Sequence, residues 1–308
     1  MRKCNLIIDS CCDLPYDFID VDGVDIVHFP YIVDGQSFED DMFVNNDPHD
    51  FYEAMRKGAT PSTSQATPQR FEEAFQKACK SAIPTVYLSF TSGLSTSYDN
   101  ACVMRDMVAE QYPESELYVV DTLAPSCVEG LIVLEAINQM NKGLTAKELK
   151  SWVEEARYFV SANFMVEDLQ ALKRGGRIPS GIAAAGSTLD VKPFITIDID
   201  GSLKLGGICR GRKKGIKQLA ALYEKEAVNS FDSEFVIVGH ADCIKDAEKL
   251  KDLILKEDST RPVIISNIGP VIGSHVGPGM LAVCYWTDDR RSKLSISERI
   301  AKKVRADK

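Results

Sequence analysis

The chain reads as an α/β protein of two lobes, the first built on a mainly parallel sheet with crossover helices and the second on a mixed sheet. Three observations predict this. Short apolar, β-branched runs alternate with stretches of helical periodicity, the pattern of strands joined by crossover helices. The pattern restarts near residue 158. A length of 308 residues is also long for one hydrophobic core. The lobes are therefore expected at residues 1–158 and 159–308.

In the first lobe, Cys4–Asp9, Thr85–Phe90 and Glu116–Asp121 have the composition of strands, and each finishes on a polar or hydroxyl-rich turn. Phe71–Ala82, Leu94–Glu110 and Val128–Asn141 carry helical spacing. A further helix over Thr145–Arg157 follows Gly143-Leu144, with Thr145 as its N-cap. In the second lobe the strands are expected at Phe159–Phe164, Phe194–Ile199, Phe235–Gly239, Val263–Ser266 and Met280–Trp286, with helices at Lys213–Glu226 and Ile244–Lys256. Asp200-Gly201 between apolar runs is a hairpin signal, which adds an antiparallel element.

At 44% hydrophobic and 26% charged residues, the composition is that of an ordinary soluble globular protein. A net charge of −9 argues against broad binding to nucleic acid or anionic lipid surfaces. The start Met-Arg-Lys-Cys-Asn-Leu-Ile-Ile-Asp has too short an apolar stretch for a signal peptide, and no window is apolar enough for stable membrane insertion. A cytoplasmic location is expected. The nine cysteines form no CxxC pair, so they read as reduced, buried thiols, and neither a metal nor a cofactor is expected.

The common catalytic signatures are missing: there is no GxSxG elbow, phosphate-binding GxxxxGK[ST] loop, HExxH or strand-following GxGxxG. Two hydroxyl-rich turns stand out instead, Thr60-Pro61-Ser62-Thr63-Ser64-Gln65-Ala66-Thr67 and Thr91-Ser92-Gly93-Leu94-Ser95-Thr96-Ser97. Either alone is explained by helix capping. Together, with the second directly after a strand, they offer hydroxyls and free backbone N–H groups that suit a carboxylate or phosphate. His275 lies within Gly269–Gly279, where Gly269, Gly273, Gly277 and Gly279 are expected to hold turns that let a ligand approach. His28, His49 and His240 read as structural or solvent-facing. Asp9, Asp13 and Asp121 are turn and cap candidates, with a paired-carboxylate site as the rival reading. A basic group of Lys173, Arg174, Arg177, Arg210, Arg212, Lys213, Lys214 and Lys217 contrasts with the acidic background and reads either as a solvated face or as a docking surface for an acidic partner.

These pieces, in this order from about Cys4 to Trp286, resemble the DegV family, whose better-understood members are the fatty-acid-binding (FakB-type) subunits of bacterial fatty acid kinase. The resemblance is carried by Asp9-Ser10 with Asp13-Leu14-Pro15, Thr63-Ser64-Gln65, Ser92-Gly93-Leu94-Ser95 with Tyr98, and Val120-Asp121. Further along it is carried by Leu169–Ile178, Val191-Lys192-Pro193, Arg210–Lys214 and Gly269–Gly279. Cys11 and Cys12 depart from the small residues common beside the first Asp-Ser, and Thr96 stands where glycine is usual.

The resemblance implies a carrier without catalysis of its own. It would hold a long-chain fatty acid between the lobes and present the carboxylate to a separate ATP-dependent kinase, which makes an acyl-phosphate for phospholipid synthesis. It implies carboxylate contacts at Thr63, at Ser92 or Ser95 with Gly93, and at His275. The tail would lie in a tunnel of the second lobe near Phe164, Met165, Ile182 and Phe194, and the partner would dock at Arg177, Arg210, Arg212, Lys213 and Lys214. A tail of about sixteen carbons, at ~0.8 kcal/mol per buried methylene, contributes at most roughly 12 kcal/mol. A hydrogen bond to the charged head contributes only about 1.5–3 kcal/mol. The tail would set affinity and the head pocket would set orientation. The rival class is an enzyme of phosphoryl or acyl transfer that uses the same anion pocket.

Overall fold

The computed structural model describes residues 2–167, 169–178, 191–228, 235–295 and 297. Ile182 lies outside them. In chain order the first half contains β1 (Asn5–Asp9), β2 (Val24–Val27), β3 (Pro30–Val33), β4 (Gln36–Glu39), α1 (Pro48–Arg56), β5 (Ser62–Thr63) and α2 (Pro68–Lys80). It continues with β6 (Thr85–Ser89), α3 (Ser97–Gln111), β7 (Leu117–Asp121), α4 (Cys127–Asn141) and α5 (Ala146–Ala156). The second half contains β8 (Val160–Met165), α6 (Gln170–Arg174), β9 (Val191–Ile197), β10 (Leu203–Arg210), α7 (Arg212–Glu226), β11 (Val236–His240), α8 (Ile244–Glu257), β12 (Val263–Asn267), α9 (Pro270–Val276) and β13 (Leu281–Trp286).

The first sheet has the order β2-β1-β6-β7 and is parallel throughout. Its central strands are apolar on both faces because helices cover both sides, as a parallel sheet requires. The second sheet is mixed, in the order β10-β9-β8-β13-β11-β12, with β11 and β12 its parallel pair. Its strands are regularly two-faced. Ala162, Phe164, Ile195, Ile197, Ala282 and Cys284 face the first lobe. Met165, Phe194, Val238, Leu281 and Val283 form a separate cluster with residues of α7 and α8. The predicted fold class therefore holds, and the hairpin at Asp200-Gly201 joins β9 to β10.

α4 ties the two sheets together. It packs on β8, β11 and β13 of one and on β1 of the other. Its residues from Cys127 to Val133 are all buried, so it has no solvent face to set a helical period. α5 starts on a full capping box, in which Thr145 Oγ accepts the Glu148 N–H and the Glu148 carboxylate accepts the Thr145 N–H.

Several elements differ from expectation. β2 and a small antiparallel sheet, β4-β3-β5, were not anticipated. β4 is exposed at every position and β5 has two residues, so neither carries a hydrophobic period. α3 begins at Ser97, not Leu94, because residues 91–96 form the turn that follows β6. The glycine-rich Gly269–Gly279 stretch is not only turns: Pro270 opens the short helix α9, and Gly277, at φ +74°, ends it.

The β9–β10 hairpin tip is seated on the first lobe. Thr91 Oγ1 donates to the Gly201 carbonyl at 3.2 Å. Gly201 has φ +79°, and a Cβ there would lie 1.9 Å from Thr91 Oγ1. A Cβ on Gly93 would meet the backbone of Gly201 at 2.5 Å. Both glycines are thus required by the close approach of two backbones. Gly201→Ala is expected to lower stability by at least about 2 kcal/mol, read as a lower urea midpoint.

Candidate ligand-binding site

A cavity of about 620 Å³ lies between the carboxyl end of the first sheet and the inner face of the second. The chain leaves β1 to pair β2 on one side and β6 on the other. The mouth between β1 and β6 is thus a topological switch point, where open α/β sheets bind ligands. Cys11 follows β1, Phe90 and Leu94 follow β6, and Pro125, Ser126 and Val128 open α4. Ala162, Phe164, Ile197, Leu203, Ala282 and Cys284 form the opposite wall. The volume falls within the ~300–1,000 Å³ usual for small-molecule sites.

One end of the cavity is polar. Thr63 is fixed by the pairing of β5 with β3, and α9 packs on both strands, which brings His275 to it. Thr63 Oγ1 and His275 Nε2 are 2.7 Å apart. Gly175, just after α6, lies flat against the imidazole, where a Cβ would come within 2.1 Å of Nδ1. Nδ1 is buried without a hydrogen-bond partner. Burial first, and the nearby Arg177 charge second, push His275 down to about 4. The ring is therefore neutral at pH 7. If Nε2 carries the proton and donates to Thr63, the Thr63 hydroxyl is free to donate into the cavity; in the other tautomer that proton is spent on the ring.

Ser95 also lines the cavity; its Oγ accepts the Ser97 N–H at 3.2 Å and lies 2.9 Å from the Ser97 hydroxyl, so its own proton is available to the cavity when the Ser97 hydroxyl is the donor of that pair. Arg177 lines the same end, held across the lobes by its Nε donating to the Leu94 carbonyl at 3.1 Å. The arrangement offers hydroxyls, a neutral imidazole and one guanidinium beside an apolar chamber. That set can hold a single anionic head on an apolar body.

Thr63 and His275 thus meet and Ser95 lines the same cavity, while Ser92 and Gly93 do not join them. The Ser92 hydroxyl donates to Asp121 at 2.5 Å and its N–H to the same carboxylate at 3.1 Å. The Gly93 N–H is used by Thr91 Oγ1 at 3.0 Å, and its backbone faces the hairpin tip. Of the tail candidates, Phe164 lines the cavity. Met165 and Phe194 do not, because strand alternation turns them to the opposite face of the sheet.

The basic group divides as well. Arg177 belongs to the cavity. Arg212 is tied inside by Glu167 and Asp246, each at 2.9 Å, and by the Gly279 carbonyl. Arg210, Lys213 and Lys214 are exposed. Sequence reasoning missed Arg177 as a cavity group, although the Gly-Gly-Arg run beside it marked close backbone packing. It also missed Leu172, Val271 and Val276, which carry no sign of which face they use.

Behind the cavity lies a set of buried acids. Asp9 accepts the Phe90 and Cys11 N–H groups at 2.7 and 2.9 Å, bracing the ends of β6 and β1, yet burial pushes it up to about 7. Asp13, in the left-handed region at φ 48°, accepts the N–H of Gly269 at 2.8 Å and the hydroxyl of Ser126. Burial also raises Asp40 to about 7. Glu129 on α4 is wholly buried and both its oxygens lack a hydrogen-bond partner. Burial first, then Asp9 and Asp13, push its carboxyl well above the usual range. Among the described residues no group of His, Cys, Asp and Glu is placed to hold a metal, and no helix is long and apolar enough to cross a membrane.

Residues 3–288 match the model of a family described as DegV, an uncharacterised protein family. A DegV domain-containing protein of Clostridium perfringens is 37% identical over 292 residues, covering 94% of this chain and 99% of its own. A DegV family protein from Thermus thermophilus, described by its fatty acid binding, superposes with a TM-score of 0.80 at 27% identity, over 93% of this chain and 100% of its own. A Thermotoga maritima protein whose structure is said to reveal a fatty acid binding function superposes at 0.76 and 26% identity, over 93% and 100% of the two chains.

Two titrations follow from the site. In the protein free of ligand, the His275 ring protons are expected to keep the neutral shift down to pH 5.5 and to move only near pH 4, followed by NMR. For Glu129 the unfolded chain ionises above the ordinary glutamate value of about 4.5 while the folded carboxyl stays protonated, so its contribution to stability is full below that pH and falls as pH rises. Glu129→Gln is expected to raise the unfolding midpoint most at pH 8, with the gain vanishing towards pH 4.

Proposed function

The chain belongs to the DegV family, and from that premise we propose that it is a carrier that binds a long-chain fatty acid and presents its carboxylate to a separate ATP-dependent kinase. The observation that carries this reading is the shape of the cavity: an apolar chamber whose one polar end gathers Thr63, Ser95, His275 and Arg177. A carboxylate at that end accepts from the Thr63 and Ser95 hydroxyls and lies near the Arg177 charge. Its arrival selects the His275 tautomer protonated at Nε2, since only then is the Thr63 proton available to the ligand. The neutral ring matters, because it leaves the head site with no more than one full positive charge and the ligand's polar end near the surface. The fatty acid binding described for the Thermus and Thermotoga proteins supports the same reading.

The one hydroxyl–imidazole pair at this site, Thr63 with His275, is poorly suited to turnover, because burial holds the ring near 4 and makes it a weak base. The chemistry would therefore be the partner's, an ATP-using fatty acid kinase whose acyl-phosphate product serves phospholipid synthesis in the cytoplasm. Its docking surface is assigned to the exposed Arg210, Lys213 and Lys214, at the end of β10 and the start of α7. In a chain of net charge −9 these cations form a local attractive patch for an acidic partner.

Native mass spectrometry of the purified protein tests the reading first: a co-purifying fatty acid near one equivalent is expected, and a protein that neither carries nor takes up any fatty acid would overturn it. Thr63→Ala and Ser95→Ala should each weaken binding by about 1–3 kcal/mol in a displacement titration, because one charge-assisted bond is lost while the tail stays buried. Ser92→Ala should leave affinity unchanged, its hydroxyl being committed to Asp121. His275→Ala should cost the free acid more than its methyl ester. Reversing Arg210, Lys213 and Lys214 to Glu should leave fatty acid affinity intact, slow phosphorylation by the kinase and flatten its salt dependence.

A further inference from the structure

The register of the second sheet shows how deep the cavity runs. His275 ends the polar site on α9, and the chain then passes Met280 and enters β13. Met280, Ala282 and Cys284 line the cavity in turn, each about 6.6 Å further along the strand. Trp286 is the next residue on that face; it is buried and does not line the cavity. On the neighbouring β8, Phe164 sits opposite Ala282, Ala162 opposite Cys284, and Val160 opposite Trp286. The cavity therefore reaches the Ala162–Cys284 rung and stops at the Val160–Trp286 rung. Trp286 is backed by Trp152, with ring centroids 6.3 Å apart, so this wall is packed from behind.

The composition of the last open rung is uneven. Asn163 is opposite Thr196, which places Ile197 beside Ala162, and Leu203 pairs Ile197 in turn. Across four strands the rung thus reads Leu203, Ile197, Ala162, Cys284. Two large aliphatic side chains stand beside two small ones, and all four line the cavity, which leaves the most room above the small pair. We infer that Ala162 and Cys284 are the chain-length gauge of this protein: the terminal methylenes of the acyl chain fill the notch above them, and the Val160–Trp286 pair is the stop. The inference rests on the fatty acid reading and specifies which ligands of that class the site accepts.

The test is a displacement titration of saturated acids from ten to twenty carbons against the wild type, Ala162→Val, Ala162→Leu and Cys284→Ala, each checked for a native circular dichroism spectrum. Each methylene denied burial costs about fourfold in affinity. Ala162→Leu is expected to weaken the longest acid bound by the wild type roughly 15-fold or more, the loss of about two methylenes, while short acids change less than twofold. Ala162→Val should give the same tilt in smaller measure, and it keeps the test informative if the larger side chain prevents folding. Cys284→Ala should move the optimum to longer acids. Folded variants with the wild-type chain-length profile, or with an equal loss at every length, would overturn the gauge while leaving the carrier reading intact. A wild type that binds none of the series would overturn the carrier reading itself.

Discussion

Among the contacts that join the two lobes, one carboxylate that belongs to neither site nor sheet gathers the most elements at a single point. Asp13 follows the end of β1, and its side chain reaches both the first residue before α9 and the residue that opens α4. Its own carbonyl accepts the Ser266 hydroxyl at 2.5 Å, at the end of β12. A single residue of the first lobe thereby sets where His275 and the start of α4 stand. It does so only in the left-handed backbone region, where aspartate is one of the better-tolerated side chains. Gly269 faces the same carboxylate so closely that a Cβ would lie 2.7 Å from Oδ1. The Thr63–His275 contact, which joins residues far apart in the chain, is downstream of this arrangement.

The interior is unusual in its balance of charge. Burial raises Asp9, Asp13, Asp40 and Glu129, and neighbouring carboxylates add to the rise at Asp13, Asp40 and Glu129, so these acids favour keeping their protons. His275 shows the opposite response to the same burial and gives its proton up. Proton uptake by the acids and proton loss by the imidazole leave the region around the cavity less charged than its composition indicates. The Arg177 guanidinium is then the main full charge at the polar end. An anionic head meets one cation and several neutral dipoles, which orients it without trapping it.

Much of the fold was legible because the two lobes write themselves in different periods. The continuous apolar runs of β1, β6 and β7 announce a sheet covered on both sides, and Asp200-Gly201 announces the hairpin. The small sheet was hidden because β4 and β5 bury nothing. Of the hydroxyl-rich turns that the sequence singles out, Thr63 and Ser95 line the cavity with His275, whereas Ser92 and Gly93 carry the same motif and serve the scaffold. A hydroxyl in a turn advertises a hydrogen bond and not its partner; Asp121, 29 residues away, takes Ser92. Met165 and Phe194 lie on the face away from the cavity, and because both faces of the second sheet are apolar, hydrophobicity alone cannot separate chamber from core.

The β9–β10 hairpin has a second consequence. The same ribbon supplies Ile197 and Leu203 to the chamber and seats its tip on the first lobe through Gly201. Wall and anchor are one element, so a shift of the tip on Thr91 is also a shift of the chamber wall at Ile197 and Leu203. Filling the chamber would therefore favour the seated tip, because a ligand stabilises the arrangement it binds.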